Sequence, residues 1–534
     1  MVYDDALLMH YSRRIKTVTS IELDGTNLSP RDLVRAAVDD SVEVRISSSA
    51  LTKVAASRMA LEKILRSGRV VYGVNTGVGG FVDRLIPDDR AAEMQQNLVA
   101  GVATNVGQPV DRSIIRAMMI ARLNSLARGN SAVKVDTLLA YVKLVNSAVV
   151  PLVPALGSLG ASGDLGPLAH IAQVLQGKGR LLEPVSDVGT RTDVSEVLKD
   201  AGLEPVRLDY KEGLALINGT SGMVGYAAVV LDEARRMLEQ YEVVTCLSFE
   251  ALSVRIKPFD PVVHAMKSQS EQLAYAHRIY DTLRGSNVVT EEDELSLRLN
   301  AARLEGVRRE APIEDAYSIR CAPQIMGAVM RAMTEAETVV ERELNSSSDN
   351  PLVSPEIGDV FHNGHFHGQY VAMVIDYVNI AFASVANISD RRTDRILDEK
   401  KNVGLPPFLT KDPGATMGLM GGQFMSTSLT SEIRSMCVPM SIQTLPSTGD
   451  FQDVVSLGFV AARKSSEILR LLRYVLSFEL LCAYRAVELR EVQSSLSSST
   501  EKLWLRVRQT LDGLNVDAEI SEAVELLAGS GIWT

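Results

Sequence analysis

Two stretches of this chain hold neither glycine nor proline: Gln369 to Val403, and Phe459 to Asp512. Glycine and proline are the strongest local punctuation of a folded chain, so long runs without them leave little but extended helix. The second run opens FVAARKSSEILRLLRYVLSFELLCAYRAVELREV, and a helix through all of it would extend about 50 Å. Near LRLLRYVLSFELLCAY its apolar residues cover most of the circumference, which predicts burial in a bundle or at a subunit interface. An earlier segment, DRSIIRAMMIARLNSLARGN, puts Ile115, Met119, Leu123 and Leu126 on one face, with Asp111 as the cap and Gly129 as the stop. The fold class expected is therefore mainly α, with long helices shared between subunits. Loop-rich sequence gives way to long helical segments after LEPVRLDYKEG, which predicts a first domain over 1–205 and a central and C-terminal helical bundle over 206–534.

Among 534 residues, 46% are hydrophobic and 23% charged, which excludes general disorder. The net charge of −11 comes without a basic stripe, so neither nucleic acid nor an anionic membrane surface is an expected partner. Four scattered cysteines, Cys246, Cys321, Cys437 and Cys482, match no zinc spacing and read as reduced thiols of a cytoplasmic protein. The opening MVYDDALLMHYSRR lacks the apolar run of a secretory signal. The uncharged run from Leu144 to Gly163 has the length of a membrane span, but Pro151, Pro154 and three glycines predict a buried loop instead.

That loop continues as GSLGASGDLG, with glycine at every third position: Gly157, Gly160, Gly163 and Gly166. Each glycine costs roughly 0.5–1 kcal/mol relative to alanine in regular structure. No lysine follows to make a phosphate cradle, and Gly163 directly after Ser162 breaks the spacing of a hydrolase elbow. A chemical reading fits better. In Ala161-Ser162-Gly163 the nitrogen of Gly163 has no Cβ to hinder its attack on the Ala161 carbonyl. Ring closure with loss of two waters, one of them from the serine side chain, leaves a methylidene group on a five-membered imidazolone. Flanking glycines and prolines suit the strained loop that this needs.

GSLGASGDLGPLAH resembles the prosthetic-group loop of the aromatic amino acid ammonia-lyases and aminomutases, which make 4-methylideneimidazol-5-one (MIO) from Ala-Ser-Gly. The resemblance extends through VYGVNTGVGGF (71–81), LINGTSGMVG (216–225), EDAYSIRCAPQ (314–324), ELNSSSDNPL (343–352), FHNGHFHGQY (361–370) and FQDVVSLG (451–458). It implies an ammonia-lyase-like fold, an N-terminal domain bearing MIO, an aromatic amino acid as substrate, no metal, and a homotetramer whose active sites are shared between chains.

The same resemblance assigns roles. Ala161, Ser162 and Gly163 form the electrophile, which captures the substrate amine by covalent catalysis. Tyr72 matches the tyrosine base on a mobile lid, and a tyrosine base calls for an electropositive or dipolar setting that lowers its pKa. Arg320 matches the arginine that grips the substrate carboxylate, with Tyr317 one turn earlier facing the same cavity. Asn218 and Gln452 match positions near the amine, carboxylate and ring, and Asn350 a position beside the ring. His365 and His367 form a lone H-x-H, a weak metal signal, and read as hydrogen-bonding residues.

By the same resemblance the ring-selecting pair falls at Gly101 and Val102. Neither is the histidine typical of histidine or tyrosine users. Thr448 replaces the carboxylate that accompanies histidine substrates, and Phe424 stands where a tyrosine mutase can place a hydroxyl. These features favour phenylalanine, although an apolar site rejects an added hydroxyl only weakly. GGFVDRLIP, NLVAGVATNVG, GLPPFL and LMGGQFM are similar to bacterial phenylalanine 2,3-aminomutases and their lyase relatives from antibiotic pathways. Those relatives often carry Thr-Ser-Gly and Ala-Val where this chain has Ala161-Ser162-Gly163 and Gly101-Val102, and Glu314 stands where many plant enzymes have glutamine. The expected reaction is 2,3-amino migration through a cinnamate-type intermediate. An ammonia-lyase or a tyrosine 2,3-aminomutase is the alternative, because mutase and lyase differ only in how long the lid retains the intermediate. A serine hydrolase lacks its elbow, and an inert helical scaffold leaves the polar motifs without a purpose.

Overall fold

The computed structural model describes residues 19–183, 193–290 and 314–534. The segment read for a secretory signal lies outside them. On the N-terminal side α1 (Ala91–Val102), α2 (Arg112–Ala127), α3 (Leu165–Leu175) and α4 (Glu212–Ile217) lead into the long helices. These are α5 (Ser221–Ala251), α6 (Ala322–Leu344), α7 (Gln369–Leu397), α8 (Met420–Met436) and α9 (Gly458–Arg490). The chain is mainly α, and its sheets are four two-stranded pairs among the described residues.

In the bundle α7 packs against α6, α8 and α9; α9 packs against α5, and α5 against α2. One apolar cluster runs from Ile21 to Trp533. A buried polar knot crosses it. Arg392 of α7 donates to Glu479 of α9 at 2.6 Å, and Tyr241 of α5 donates to the other oxygen of Glu479 at 2.7 Å. A buried charge left without such partners is strongly destabilising, so this knot ties the register of three helices to one another.

Local sequence accounts for most of these elements, with instructive departures. Helix α9 has 33 residues, close to the length expected, and most of its side chains are buried. The run without glycine or proline nevertheless breaks at Glu491, which takes a left-handed φ of 58° before a separate helix, Ser498–Thr510. Helix α2 is buried from Ile114 to Ala127 rather than along one face, and Asp111 stands at its cap without a side-chain hydrogen bond. Burial on all sides follows from its place between the N-terminal segments and α5. The run from Leu144 to Gly163 is not a plain loop. Val150–Pro151 pairs with Leu181–Glu183, and Pro154–Leu156 with Val106–Pro109. Among the described residues one helix, α7, is long and apolar enough to cross a membrane, and 67% of its most apolar window is buried inside the protein.

Candidate active site

The glycine-rich loop meets the N-terminal end of α5 through backbone hydrogen bonds and one buried carboxylate. Gly219 N–H donates to Ser162 O at 3.0 Å, and Asp164 N–H donates to Gly219 O at 2.9 Å. A Cβ on Gly163 would lie 2.1 Å from Gly219 O, and one on Gly160 would lie 2.5 Å from Leu457 N. Both glycines have positive φ, at +77° and +81°, and Ser162 between them sits at 53°. The loop is thus held in a left-handed turn that excludes side chains on its inner side. Asp164 lies buried behind it, accepting the Met223 N–H at 2.6 Å. Burial pushes its carboxyl up to about 7, against the pull of the Met223 and Gly222 N–H groups and Ser158.

Ala161 and Ser162 line a cavity of about 710 Å³ together with Tyr72, Asn218, Asn350 and Gln452. Its apolar wall includes Val70, Leu214, Phe366 and Phe451. Five segments far apart in sequence therefore meet at one place. Gln452 sits in a turn closed by mutual backbone hydrogen bonds with Ser447, and its Nε2 donates to Ser162 Oγ at 3.1 Å. Asn218 ends α4, with its backbone N–H donated to Leu214 O. The Tyr72 loop is anchored by buried Gln95 of α1, whose side chain donates to Gly73 O at 2.9 Å and accepts the Leu214 N–H at 2.8 Å.

The setting of Tyr72 differs from the expectation. Its hydroxyl accepts the Gly79 N–H at 3.0 Å, a dipole that favours phenolate. Burial dominates, however, and the phenol's pKa is raised rather than lowered. The neighbours are aromatic, not cationic: Phe451 is stacked at 6.5 Å and His362 lies edge-on at 6.4 Å.

Tyr317, Arg320, Gly101, Val102 and Phe424 do not line this cavity within one chain. Arg320 pairs with Glu314 at 2.9 Å and lies 4.8 Å over the ring of Tyr317. Tyr317 is 68% exposed and Phe424 70%. A Cβ on Gly101 would meet nothing within 4 Å. His367 lines the cavity with its Nε2 3.2 Å from Val454 O, and the His365 N–H donates to Asn363 Oδ1. Among the described residues no three His, Cys, Asp or Glu side chains cluster as a metal site would require.

Sequence reasoning passed over His362, whose Nε2 accepts the Tyr72 N–H at 3.1 Å, and the buried pair Lys211–Asp349 behind Asn218. His362 lay inside a quoted motif. Asp349 also lay inside a quoted motif, ELNSSSDNPL, and Lys211 inside LEPVRLDYKEG, but no local signal joins two residues 138 positions apart.

The sequence matches the aromatic amino acid lyase family over residues 28–509. A solved phenylalanine aminomutase from Pantoea agglomerans is 44% identical and superposes with a TM-score of 0.91, covering 96% of this chain and 98% of that one. A tyrosine ammonia-lyase of Cupriavidus metallidurans is 38% identical over 95% of each chain. A histidine ammonia-lyase of Caldanaerobacter subterraneus is 36% identical over 94% of each.

Proposed function

The chain belongs to the aromatic amino acid lyase family, and from that premise we propose that it is a 2,3-aminomutase of an aromatic L-α-amino acid, phenylalanine by preference. The observation that carries the reading is the joint lining of one cavity by the Ala161-Ser162 turn, Tyr72 and an apolar wall. Likeness to the Pantoea aminomutase across nearly the whole chain supports the mutase over the lyase.

The residues fit the prosthetic group. Gly163 has no room for a side chain, Ser162 is already in a left-handed turn, and both neighbours of Gly163 are held by Gly219. Condensed from Ala161, Ser162 and Gly163, MIO supplies an electrophile for the substrate amine. The protein then has three tasks. The apolar wall of Val70, Leu214, Phe366 and Phe451 receives the ring and excludes water from it. Tyr72 stands across the cavity as the base for the β-proton, oriented by Gly79. Asn218, Asn350 and Gln452 provide the polar end for the amine and carboxylate.

Tyr317, Arg320 and Phe424 enter this scheme only from neighbouring copies, so the reading includes a homotetramer with shared sites. Tyr370, Met373, Tyr377 and Ile380 support it: they repeat every three or four residues along α7 and are all exposed, Tyr370 by 76%. Free thiols at all four cysteines agree with a cytoplasmic enzyme.

A second reading, an ammonia-lyase, is favoured by the lyases among the relatives. Product analysis with L-phenylalanine and L-tyrosine tests both. Accumulation of a β-amino acid is expected, and free acrylate with ammonia as sole products would assign the lyase instead.

A further inference from the structure

The buried ion pair of Lys211 and Asp349 lies behind the cavity and is tied by hydrogen bonds to two of its lining residues, Asn218 and Asn350. Lys211 Nζ donates to Asp349 Oδ2 at 2.7 Å, and both side chains are fully buried. The other oxygen, Asp349 Oδ1, accepts from Asn218 Nδ2 at 2.9 Å and from the Asn350 N–H at 2.7 Å. Asn218 Nδ2 gives its second hydrogen to Asn350 O at 3.1 Å. Lys211 and Asn218 flank the six-residue helix α4 at its two ends, and Lys211 holds a left-handed φ of 68° there. Asp349 thus bridges both ends of one short element.

The hydrogen bonds decide which way the Asn218 amide faces. A primary amide has two donors on nitrogen and only acceptors on oxygen. Both donors of Asn218 go to groups that can only accept, a carboxylate and a backbone carbonyl. The nitrogen cannot be exchanged with the oxygen without setting acceptor against acceptor. What remains is Asn218 Oδ1, buried and without a hydrogen-bond partner among the described residues. A buried polar atom left so is costly unless a ligand completes it.

From this geometry, and resting on the amino acid substrate proposed above, we infer that Lys211 and Asp349 are positioning residues that hold Asn218 Oδ1 as the acceptor for the substrate's amino nitrogen. An α-amino acid carries one donor group, the amine, and one acceptor group, the carboxylate. An acceptor-only oxygen pairs with the first and repels the second, so Asn218 sets which way round the substrate lies. Lys211 enters because its Nζ donates to Asp349 Oδ2, which fixes the carboxylate and leaves Oδ1 to Asn218 Nδ2 and the Asn350 N–H. Buried Arg122 is a second cation acting on Asp349, so loss of Lys211 removes the tether rather than all of the compensating charge. Without that tether the carboxylate is free to turn and its hold on the Asn218 amide loosens. The Lys211 hydrogen bond is thereby read out as the orientation of one amide at the substrate.

The test measures binding of two half-ligands by calorimetry: 2-phenylethylamine, which has the amine only, and trans-cinnamate, which has the carboxylate only. Lys211→Met is expected to weaken the amine at least about tenfold while cinnamate changes by less than about threefold. Lys211→Met/Asp349→Asn replaces the untethered carboxylate by a neutral amide acceptor opposite Asn218 Nδ2 and is expected to recover most of the loss. Asn218→Ala leaves the buried pair intact and should lose the amine selectively, which keeps the test decisive if Lys211→Met does not fold. Equal losses for both ligands in a folded variant, or no loss for the amine, would overturn the inference. Wild-type protein that binds neither ligand would instead overturn the aromatic amino acid reading on which it rests.

Discussion

Gln452 Nε2 donates to Ser162 Oγ across 3.1 Å, although 290 positions separate the two residues in the chain. The contact joins the turn that bears Gln452 to the one serine whose hydroxyl the proposed condensation removes. Several consequences can be measured.

Ser162→Ala should abolish turnover while leaving the helical fold intact, because the serine is only half-buried and its backbone bond to Gly219 is kept. Intact mass is the direct check. The parent protein should weigh two waters less than its sequence, and the variant should not. Retained activity in the variant, or a parent of full hydrated mass that is active, would refute the MIO assignment.

Gly163→Ala should be worse for the loop than for the bundle. Its methyl would lie 2.1 Å from Gly219 O at a φ of +77°, and both close approach and left-handed strain must be relieved by moving the backbone. A destabilisation of about 1–3 kcal/mol is expected, with loss of the two-water mass deficit. Thermal unfolding and mass spectrometry check the two parts separately.

Tyr72→Phe should keep affinity for cinnamate and lower turnover by about 10²–10⁴. Burial raises the phenol's pKa, and the base is the phenolate. In the parent enzyme kcat/KM should therefore rise with pH from neutral into the alkaline range, and the variant should lose that rise. A flat parent profile would point to another base.

Asp164 should leave a mark on stability. Its folded pKa, about 7, lies above the ordinary carboxylate value of 3.8, so the folded state holds this proton more tightly than the unfolded chain. The associated stability is fully present below about pH 4 and is lost as pH rises towards and through about 7. Asp164→Asn should flatten the decline in melting temperature across that window. An unchanged slope would mean that another group carries the proton.

Met373→Glu, on the exposed stripe of α7, should lower the mass of the proposed four-chain assembly and reduce turnover in parallel, since Arg320 and Tyr317 lie outside the cavity of their own chain. Light scattering with activity assays on the same fractions checks it. Full activity in a single-chain variant would rule out shared sites.

Much of the fold is legible in the chain because helices are local. The absence of glycine and proline anticipates α7 and most of α9, and the apolar circumference of α9 anticipates its burial. The break at Glu491 is not legible, since a left-handed residue other than glycine is held by its surroundings rather than by its own preference. For the site, the motifs identify Tyr72, Asn218, Asn350 and Gln452 as candidates, and the structure brings all four to the Ala161-Ser162 turn. Of the electropositive or dipolar setting expected for Tyr72, the Gly79 N–H supplies the dipole, but burial outweighs it and raises the pKa, because the surroundings are built by residues remote in sequence, here Phe451 and His362.

Read alone, the residue order determined the length and apolar character of the long helices and the chemistry latent in three adjacent residues, because both depend on covalent neighbours and on periodicity over a few turns. Only the tertiary structure decided that Arg320 and Tyr317 lie outside the cavity of their own chain, that Lys211 and Asp349 close on each other behind Asn218, and that the oxygen of Asn218 finds no hydrogen-bond partner among the described residues. Those outcomes turn on direction and distance between groups more than a hundred residues apart. Such quantities exist only once the helices have packed and buried polar atoms have competed for a limited set of partners.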